Sequence, residues 1–219
     1  MQEFFIQAKK FAQASAQYSR DVLFAKECIG CQEPDILLCP NCALNLHAPK
    51  QESPLILSAC RYEGIIRDIF VAVKIHKEHR YILLLADLVW KNLQNNPEFL
   101  SYAKHAQITY IPMHWMKLNM RGFNQSELLA REISRRLSGA NSPVSSLRRG
   151  RLGLRQSSLT REGRILNVRG MFLASPSAVG KRILLIDDIR TTGATLATAT
   201  QALLVAGALE VRCLTVAQD

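Results

Sequence analysis

The residues best suited to chemistry lie in one continuous stretch, Ile183 to Thr195. An apolar run typical of a buried strand ends in two adjacent carboxylates, Asp187 and Asp188. The chain then passes through small and hydroxyl-bearing residues into a helical pattern. Such a turn offers backbone N–H groups and the positive end of a helix dipole to a phosphate, and Gly193 would let the backbone approach that ligand closely. The stretch has neither a Walker ending nor a dinucleotide fingerprint.

The two carboxylates restrict the kind of molecule to which that phosphate can belong. They would repel an anion, whereas a carboxylate can accept two hydrogen bonds from the hydroxyls of a cis-diol. The inferred ligand is therefore a phosphorylated ribose, with Asp187 and Asp188 on the sugar and the turn on the phosphate. The alternative is a buried strand that happens to end in two acids before a helix cap.

Four cysteines form a second group with chemical potential. They occur as two C-x-x-C pairs, Cys28 with Cys31 and Cys39 with Cys42, separated by seven residues. Each pair can turn two sulfurs towards one centre, so the set suits a closed tetrahedral metal site. Zinc is the predicted ion and iron the alternative, and a closed site would be structural or would support an interaction surface. Two disulfides or a redox pair are the competing interpretations.

Composition and charge limit the class of protein. The chain has 219 residues, of which 48% are hydrophobic and 21% charged, which excludes a disordered or collagen-like chain and predicts one domain with a small appendage. The formal charge is +10, and residues 148–182 carry nine basic side chains against one acidic. This local excess suits a polyphosphate or a nucleic-acid backbone, and a solvated surface is the alternative.

Helical and strand-like patterns alternate from Leu55 onwards, and these elements must position the acid pair. Alternating strands and helices predict an α/β fold with a mostly parallel sheet flanked by helices, whose carboxyl edge is the usual place for a ligand. Strands are predicted at 56–62, 108–113, 143–147, 182–186 and 211–216, and helices at 66–73, 82–93, 124–137, 161–167 and 193–205.

Three segments are predicted along the chain. Residues 1–27 have the loose apolar spacing of an amphipathic helix, residues 28–48 form the zinc-binding module, and residues 55–219 form the α/β domain after a proline-containing connector. The longest apolar stretch, Ile82–Ala86, is far shorter than the roughly 20 residues that cross a bilayer. Met1–Lys10 does not have the pattern of a signal peptide. We therefore expect no membrane insertion and a cytoplasmic location.

Several motifs in a fixed order resemble one known family. Residues 183–195 resemble the phosphoribosyl pyrophosphate (PRPP) motif of type I phosphoribosyltransferases. Together with the four-cysteine module, the motif at 121–125 and the basic stretch at 155–167, they make the chain similar to the ComF (ComFC, GntX-like) family of competence-associated phosphoribosyltransferase-like proteins. The resemblance covers nearly all of the chain. It implies a type I phosphoribosyltransferase-like fold with a small N-terminal zinc module.

The resemblance also implies roles for individual residues. Asp187 and Asp188 would hold the ribose hydroxyls and, with Lys74 near the pyrophosphate and Arg155 on a mobile loop, form the catalytic set. Mg²⁺ bound with PRPP would stabilise the departing pyrophosphate. The loop after Lys74, residues 75–78, lacks the glycine that is usual in the family. The 5′-phosphate would be bound by Arg190, Thr191, Thr192, Gly193, Ala194 and Thr195.

Two functions of different classes follow from these motifs. The first is transfer of phosphoribose from PRPP to an unidentified acceptor in natural transformation, the uptake of DNA. Residues 121–125 are the candidate for shaping the acceptor side, and ordinary helix capping by Asn124 is the alternative. The second is a non-catalytic adaptor that handles single-stranded DNA or docks a competence helicase or another DNA-processing protein. Bases stack on aromatic faces, and the basic stretch 148–182 contains only Phe172.

Overall fold

The computed structural model describes residues 26–51, 53–137, 142–150 and 171–219. The predicted N-terminal helix, with the exception of residues 26–27, lies outside the described residues, as do the predicted helix at 161–167 and Arg155. The chain divides into two compact units, residues 1–45 and 46–219. The division into three functional segments stays a prediction.

A four-stranded parallel sheet forms the centre of the second unit. Its strands lie in the order β1-β6-β5-β2, and all three neighbouring pairs are parallel. Two further strands, β3 and β4, form an antiparallel pair. The predicted mostly parallel sheet is confirmed. The strands are β1 (Ile56–Arg61), β2 (Gln107–Tyr110), β3 (Leu147–Arg149), β4 (Phe172–Ala174), β5 (Arg182–Arg190) and β6 (Glu210–Gln218).

Helices connect these strands. The helices predicted at 66–73, 82–93, 124–137 and 193–205 are confirmed as α2, α3, α6 and α7, whereas α4 and α5 were not predicted. None of the described helices has the length and apolar content that crossing a membrane requires. The helices are α1 (Pro40–Ala43) in the first unit and α2 (Gly64–Lys74), α3 (Arg80–Gln94), α4 (Pro97–His105), α5 (Trp115–Arg121), α6 (Gln125–Leu137) and α7 (Ala194–Val205) in the second.

The central strand β5 explains where the core lies. Its apolar residues 183–186 are at most 2% exposed, as expected for a strand covered on both faces. Ile183 and Leu185 pack against Leu196 and Leu203 of α7 and against Phe172 of β4. Because successive side chains of a strand alternate, the two intervening residues point to the opposite face of the sheet. The sheet therefore holds β5 firmly up to its carboxyl end.

Two strands differ most from their predicted bounds. The prediction of a strand at 143–147 is wrong, because the strand begins only at Leu147, where its partner Phe172–Ala174 becomes available for pairing. The last strand before α7 does not end at Ile186, because pairing with β6 continues through Asp187 as far as Arg190. The acid pair therefore lies among the last four residues of a paired strand, and this pairing fixes its backbone.

Candidate functional site

Four cysteine sulfurs converge in the first unit. The Sγ atoms of Cys28, Cys31, Cys39 and Cys42 all lie within 4.8 Å of one another, and all four cysteines are free. Cys39 caps the N-terminus of α1, where its Sγ accepts a hydrogen bond from the N–H of Cys42 at 3.4 Å. The N–H of Cys39 in turn donates to the Sγ of Cys28 at 3.3 Å. The two predicted cysteine pairs therefore form one cluster.

The cluster has the electrostatics of a metal site. Burial acts to raise the pKa of Cys28, but hydrogen bonds from nearby backbone N–H groups, that of Cys39 first, lower this pKa to about 6. Burial and the neighbouring cysteines raise the pKa of Cys42 to about 12. Four adjacent thiolates would repel one another, so full ionisation requires a cation between them. Four converging sulfurs suit zinc, and the cluster could hold such an ion.

The second candidate site lies at the carboxyl end of β5. Asp187 is 7% exposed, and its Oδ1 accepts hydrogen bonds from Ser126 Oγ and from the N–H of Asp188, both at 2.9 Å. Asp188 is less buried, and its Oδ2 lies 2.8 Å from Lys74 Nζ at the end of α2. Its Oδ1 accepts from the N–H of Ile189 at 2.8 Å. The structure therefore brings together three residues of the predicted catalytic set, Asp187, Asp188 and Lys74.

The charge state of Asp187 is unusual for a carboxylate. Burial, followed by the negative charge of Asp188, raises the pKa of Asp187 to about 7, although hydrogen bonding and Lys74 act in the opposite direction. A buried carboxyl group at the edge of a sheet is typical of a functional site when its pKa is close to neutral and a charged group lies beside it. Its protonation state is therefore sensitive to small changes in its surroundings.

The predicted phosphate-binding residues, 190–195, form the end of β5, a turn and the first two residues of α7. Gly193 has a φ of 76°, a left-handed conformation that glycine adopts without strain, and a Cβ there would lie 3.3 Å from Arg190 Nε. The N–H of Ala194 donates to Thr192 Oγ1 at 3.4 Å. Among the described residues, nothing accepts a hydrogen bond from the N–H groups of Thr192, Gly193 or Thr195. These N–H groups can bind an anion.

The loop after Lys74 adopts a turn without glycine. Lys77 takes a left-handed φ of 58°, a conformation in which glycine is the usual residue. The N–H of Glu78 donates to the carbonyl of Ala72 at 3.1 Å, which ties the loop back to α2. The left-handed position of this loop is therefore occupied by a lysine.

Sequence reasoning did not identify two further residues of this edge, Ser126 and Arg149. Arg149, at the end of β3, lies over the ring of Phe172 at 5.4 Å and donates from Nε to the carbonyl of Pro112 at 3.1 Å. Burial lowers the pKa of Arg149, and the nearby charge of Asp187 opposes this effect. In the sequence, Arg149 is one of the nine basic residues of the stretch 148–182, and Ser126 directly follows the motif at 121–125. Neither residue is distinguished from its neighbours by the sequence.

Asn124 of that motif is a helix cap, as the alternative interpretation predicted. Its Oδ1 accepts from the N–H of Ser126 at 3.1 Å, and its Nδ2 donates to the carbonyl of Ile111 at 2.9 Å. Glu127, three residues further along, pairs with Arg131 at 2.7 Å. The contacts of Asn124 fix the start of α6 against the end of β2.

The class of protein follows from this arrangement and from one family match. Residues 124–219 match the phosphoribosyl transferase domain, and this range contains the acid pair, the turn and Ser126. The parallel sheet and the acid pair at its carboxyl edge agree with this match, which makes residues 124–219 a phosphoribosyltransferase-like region.

The chain also resembles the DNA utilization protein YhgH of Escherichia coli (strain K12). The two are 26% identical over 195 residues, which cover 84% of this chain and 86% of that protein. Proteins with the same name from Shigella flexneri and from Escherichia coli O6:H1 are similar to the same extent. The predicted resemblance to ComF-like phosphoribosyltransferases is confirmed by the two findings together.

Proposed function

We propose that this protein binds PRPP together with Mg²⁺ at the carboxyl edge of its sheet and transfers phosphoribose to an acceptor in the uptake or use of DNA. The observation that carries the proposal is the continuity of the binding elements along one strand-turn-helix unit. Asp187 and Asp188 lie near the carboxyl end of β5, and the N–H groups of Thr192, Gly193 and Thr195 follow with no acceptor among the described residues. Sugar hydroxyls and a 5′-phosphate need these two kinds of partner side by side.

Each side chain has a distinct part in this proposal. Asp188 lies at the more accessible position and would accept hydrogen bonds from the ribose hydroxyls. Lys74, 2.8 Å from Asp188, places one positive charge beside the sugar, where the leaving pyrophosphate would depart. Mg²⁺, when bound with PRPP, would neutralise further charge on that pyrophosphate. Arg155, which lies outside the described residues, would supply a further positive charge to the pyrophosphate.

The cellular role in this proposal rests on the relatives. Three proteins that cover most of the chain are named for DNA utilization. The four-cysteine cluster would form a separate zinc-stabilised module without a part in the transfer itself. The predicted cytoplasmic location would give the protein access both to PRPP and to DNA that has entered the cell.

A calorimetric titration with PRPP and Mg²⁺ tests the binding step. The wild type should bind, and Asp188→Asn should weaken binding by about 100-fold, since a lost charged hydrogen-bond acceptor costs about 1.5–3 kcal/mol per bond. Asp68→Asn, which removes an exposed acid of α2, is the matched control and should bind as the wild type does. If Asp188→Asn and Asp68→Asn bind PRPP equally well, the sugar-binding assignment is wrong.

The second candidate function, that of an adaptor that handles single-stranded DNA, is supported by the surface of α5. No residue of this helix is buried, and Trp115 is 65% and Met120 75% exposed. Lys117 and Arg121 lie on the same helix, and residues 106–126 contain no Asp or Glu. Basic residues interleaved with an exposed aromatic side chain favour single-stranded nucleic acid. The basic stretch 148–182 lacks that combination, so α5 is the better candidate for DNA handling.

Fluorescence anisotropy with a labelled oligothymidylate separates this candidate from the first. Trp115→Ala should weaken binding of the oligonucleotide by about tenfold, because stacking on an aromatic ring contributes about 1–3 kcal/mol per base. Val205→Ala, which trims another exposed apolar side chain, should leave the affinity unchanged. PRPP binding should be the same in both variants. Equal DNA affinity of Trp115→Ala and Val205→Ala would remove the support that α5 gives to the adaptor function.

A further inference from the structure

The start of α6 links the end of β2 to the acid pair on β5. Asn124 donates to the carbonyl of Ile111 just beyond β2, and it accepts from the N–H of Ser126. Ser126 in turn donates its hydroxyl proton to Asp187 Oδ1 on β5, with 2.9 Å between the oxygens. Asn124 and Ser126 are 7% and 4% exposed, so this chain of hydrogen bonds is shielded from competing water. The bond from Asn124 joins residues that are 13 positions apart in the sequence, and the bond from Ser126 joins residues that are 61 positions apart.

The hydroxyl of Ser126 restricts how Asp187 can be used. Oδ1 of Asp187 already accepts from Ser126 and from the N–H of Asp188. Among the described residues, no group donates a hydrogen bond to the second oxygen, Oδ2. Rotation of the carboxyl group would break both bonds to Oδ1 in a buried place, which is costly. Oδ2 is therefore the oxygen that remains for a ligand.

We propose that Ser126 is a positioning residue for the sugar site, whose hydroxyl fixes Oδ1 of Asp187 and keeps the carboxylate available to the ribose through Oδ2. The motif at 121–125, expected to shape the acceptor side, would thus act mainly as the support of this serine. The inference rests on the proposed function for its link to the sugar. The hold of Ser126 on Asp187 can be tested without any ligand.

Charged and titratable groups from four elements face Asp187, and Ser126 acts among them. Asp188 on the same strand opposes ionisation, as does burial, whereas Lys74 of α2 favours it. The guanidinium of Arg149 on β3 also lies within electrostatic range. The buried thiol of Cys213 on β6 senses the charge of Asp187 as well. Because the pKa of Asp187 is about 7, one hydrogen bond from Ser126 is enough to change the fraction of Asp187 that is ionised at neutral pH.

The first experiment follows the carboxyl ¹³C shift of Asp187 against pH in the ligand-free protein. Asp187→Asn identifies the signal by its loss. Ser126→Ala should move the titration midpoint upwards by about one pH unit, since the lost donor favoured the ionised form. Ser134→Ala removes another buried serine of α6 and should leave the midpoint in place. Equal midpoints in Ser126→Ala and Ser134→Ala would overturn the inference.

The second experiment measures the affinity for PRPP and Mg²⁺ between pH 6 and 9. Ser126→Ala should bind about tenfold more weakly than the wild type at pH 7, with a smaller difference at pH 9, where Asp187 is ionised in both. Ser126→Thr keeps the hydroxyl and should recover most of the affinity. A loss of the same size at every pH would indicate a purely structural role and would contradict the inference.

The two experiments separate the two proposals. If the wild type fails to bind PRPP while Ser126→Ala still shifts the midpoint of Asp187, the proposed function is wrong and the hold of Ser126 on Asp187 stands. If PRPP binds but the midpoint does not move, the proposed function stands and the positioning role is wrong.

Discussion

The four-cysteine cluster and the carboxyl-edge site differ in how their parts are distributed along the chain. The cluster takes all its ligands from residues 28–42, and two short turns are enough to bring the sulfurs together. The edge site combines Lys74 of α2, Ser126 of α6, Arg149 of β3 and Asp187 of β5. A local cluster depends on its ion for structure, whereas a site made from distant elements depends on the fold.

Removal of the metal should produce the largest effect and should be confined to the cluster. Cys39→Ser, or a strong chelator, should unfold residues 26–45, because a bound structural zinc contributes about 10–16 kcal/mol. The sheet should keep its stability. Elemental analysis would give the identity and stoichiometry of the ion, and amide NMR spectra would report on each unit separately.

Asn41→Ser provides the control for that substitution. Asn41 is an exposed residue of α1 between two cysteines of the cluster and is not itself part of the cluster. The Asn41→Ser protein should retain one metal ion per chain. A Cys39→Ser protein that keeps both the ion and the folded cluster would show that the four sulfurs are not the ligand set.

Gly193→Ala should produce the next largest effect, at the edge site alone. Alanine at this position would have to adopt the left-handed conformation of Gly193, which is strained for a residue with a Cβ. The new Cβ would also lie 3.3 Å from Arg190 Nε, beside the proposed phosphate position. Affinity for PRPP should fall by about 100-fold, equivalent to about 2.7 kcal/mol, as several N–H donors move. Stability should fall by about 1–2 kcal/mol from the backbone strain.

Gly180→Ala is the matched control for Gly193→Ala. Gly180 has a similar φ of 69°, and nothing lies within 4 Å of an added Cβ. Denaturant unfolding should show a similar cost of backbone strain for both variants, while calorimetry should show PRPP affinity lost only in Gly193→Ala. An equal loss of affinity in the two proteins would mean that the turn does not bind phosphate.

Asp187→Asn should make the protein more stable at high pH. The folded-state pKa of about 7 exceeds the unfolded value of about 3.9, so the folded state binds more protons between these values and its stability falls as pH rises through them. Asparagine removes this dependence. Unfolding at pH 8 should cost about 1–3 kcal/mol more than in the wild type, and the difference should shrink at pH 5. A destabilised Asp187→Asn protein at pH 8 would contradict the raised pKa.

Lys74→Met should have the smallest effect on stability. The Lys74–Asp188 pair is about one-fifth exposed on each side, so its loss should lower the free energy of unfolding by about 1 kcal/mol. Lys91→Met, on the exposed side of α3, is the control and should cost less. Affinity for PRPP should fall in Lys74→Met alone. Indistinguishable unfolding and binding in the two variants would leave Lys74 without a role at this edge.

The sequence predicted those parts of both sites that are continuous in the chain. The cysteine spacing identified the full cluster, and the run from Ile183 to Thr195 identified the acid pair, the turn and the start of α7. The alternation of helices and strands was sufficient for the parallel sheet, because buried strands and amphipathic helices leave distinct apolar patterns.

The remaining features depend on contacts between distant residues, which one sequence does not display. A serine near the start of a helix is common, so Ser126 does not stand out in the sequence. Only the fold places its hydroxyl 2.9 Å from Asp187. Helix α5 buries none of its residues, so no apolar face indicated it. The extension of β5 to Arg190 was missed because three of its last four residues are charged. Pairing with β6, rather than residue type, continues the strand.

The end of the chain has a practical consequence for these experiments. The N–H of Asp219 donates to the carbonyl of Arg190 at 2.9 Å, and Gln218 Oε1 accepts from the Arg190 guanidinium at 3.1 Å. Anything fused after Asp219, such as an affinity tag or a fluorescent protein, would emerge next to the Thr191–Gly193 turn and could obstruct it.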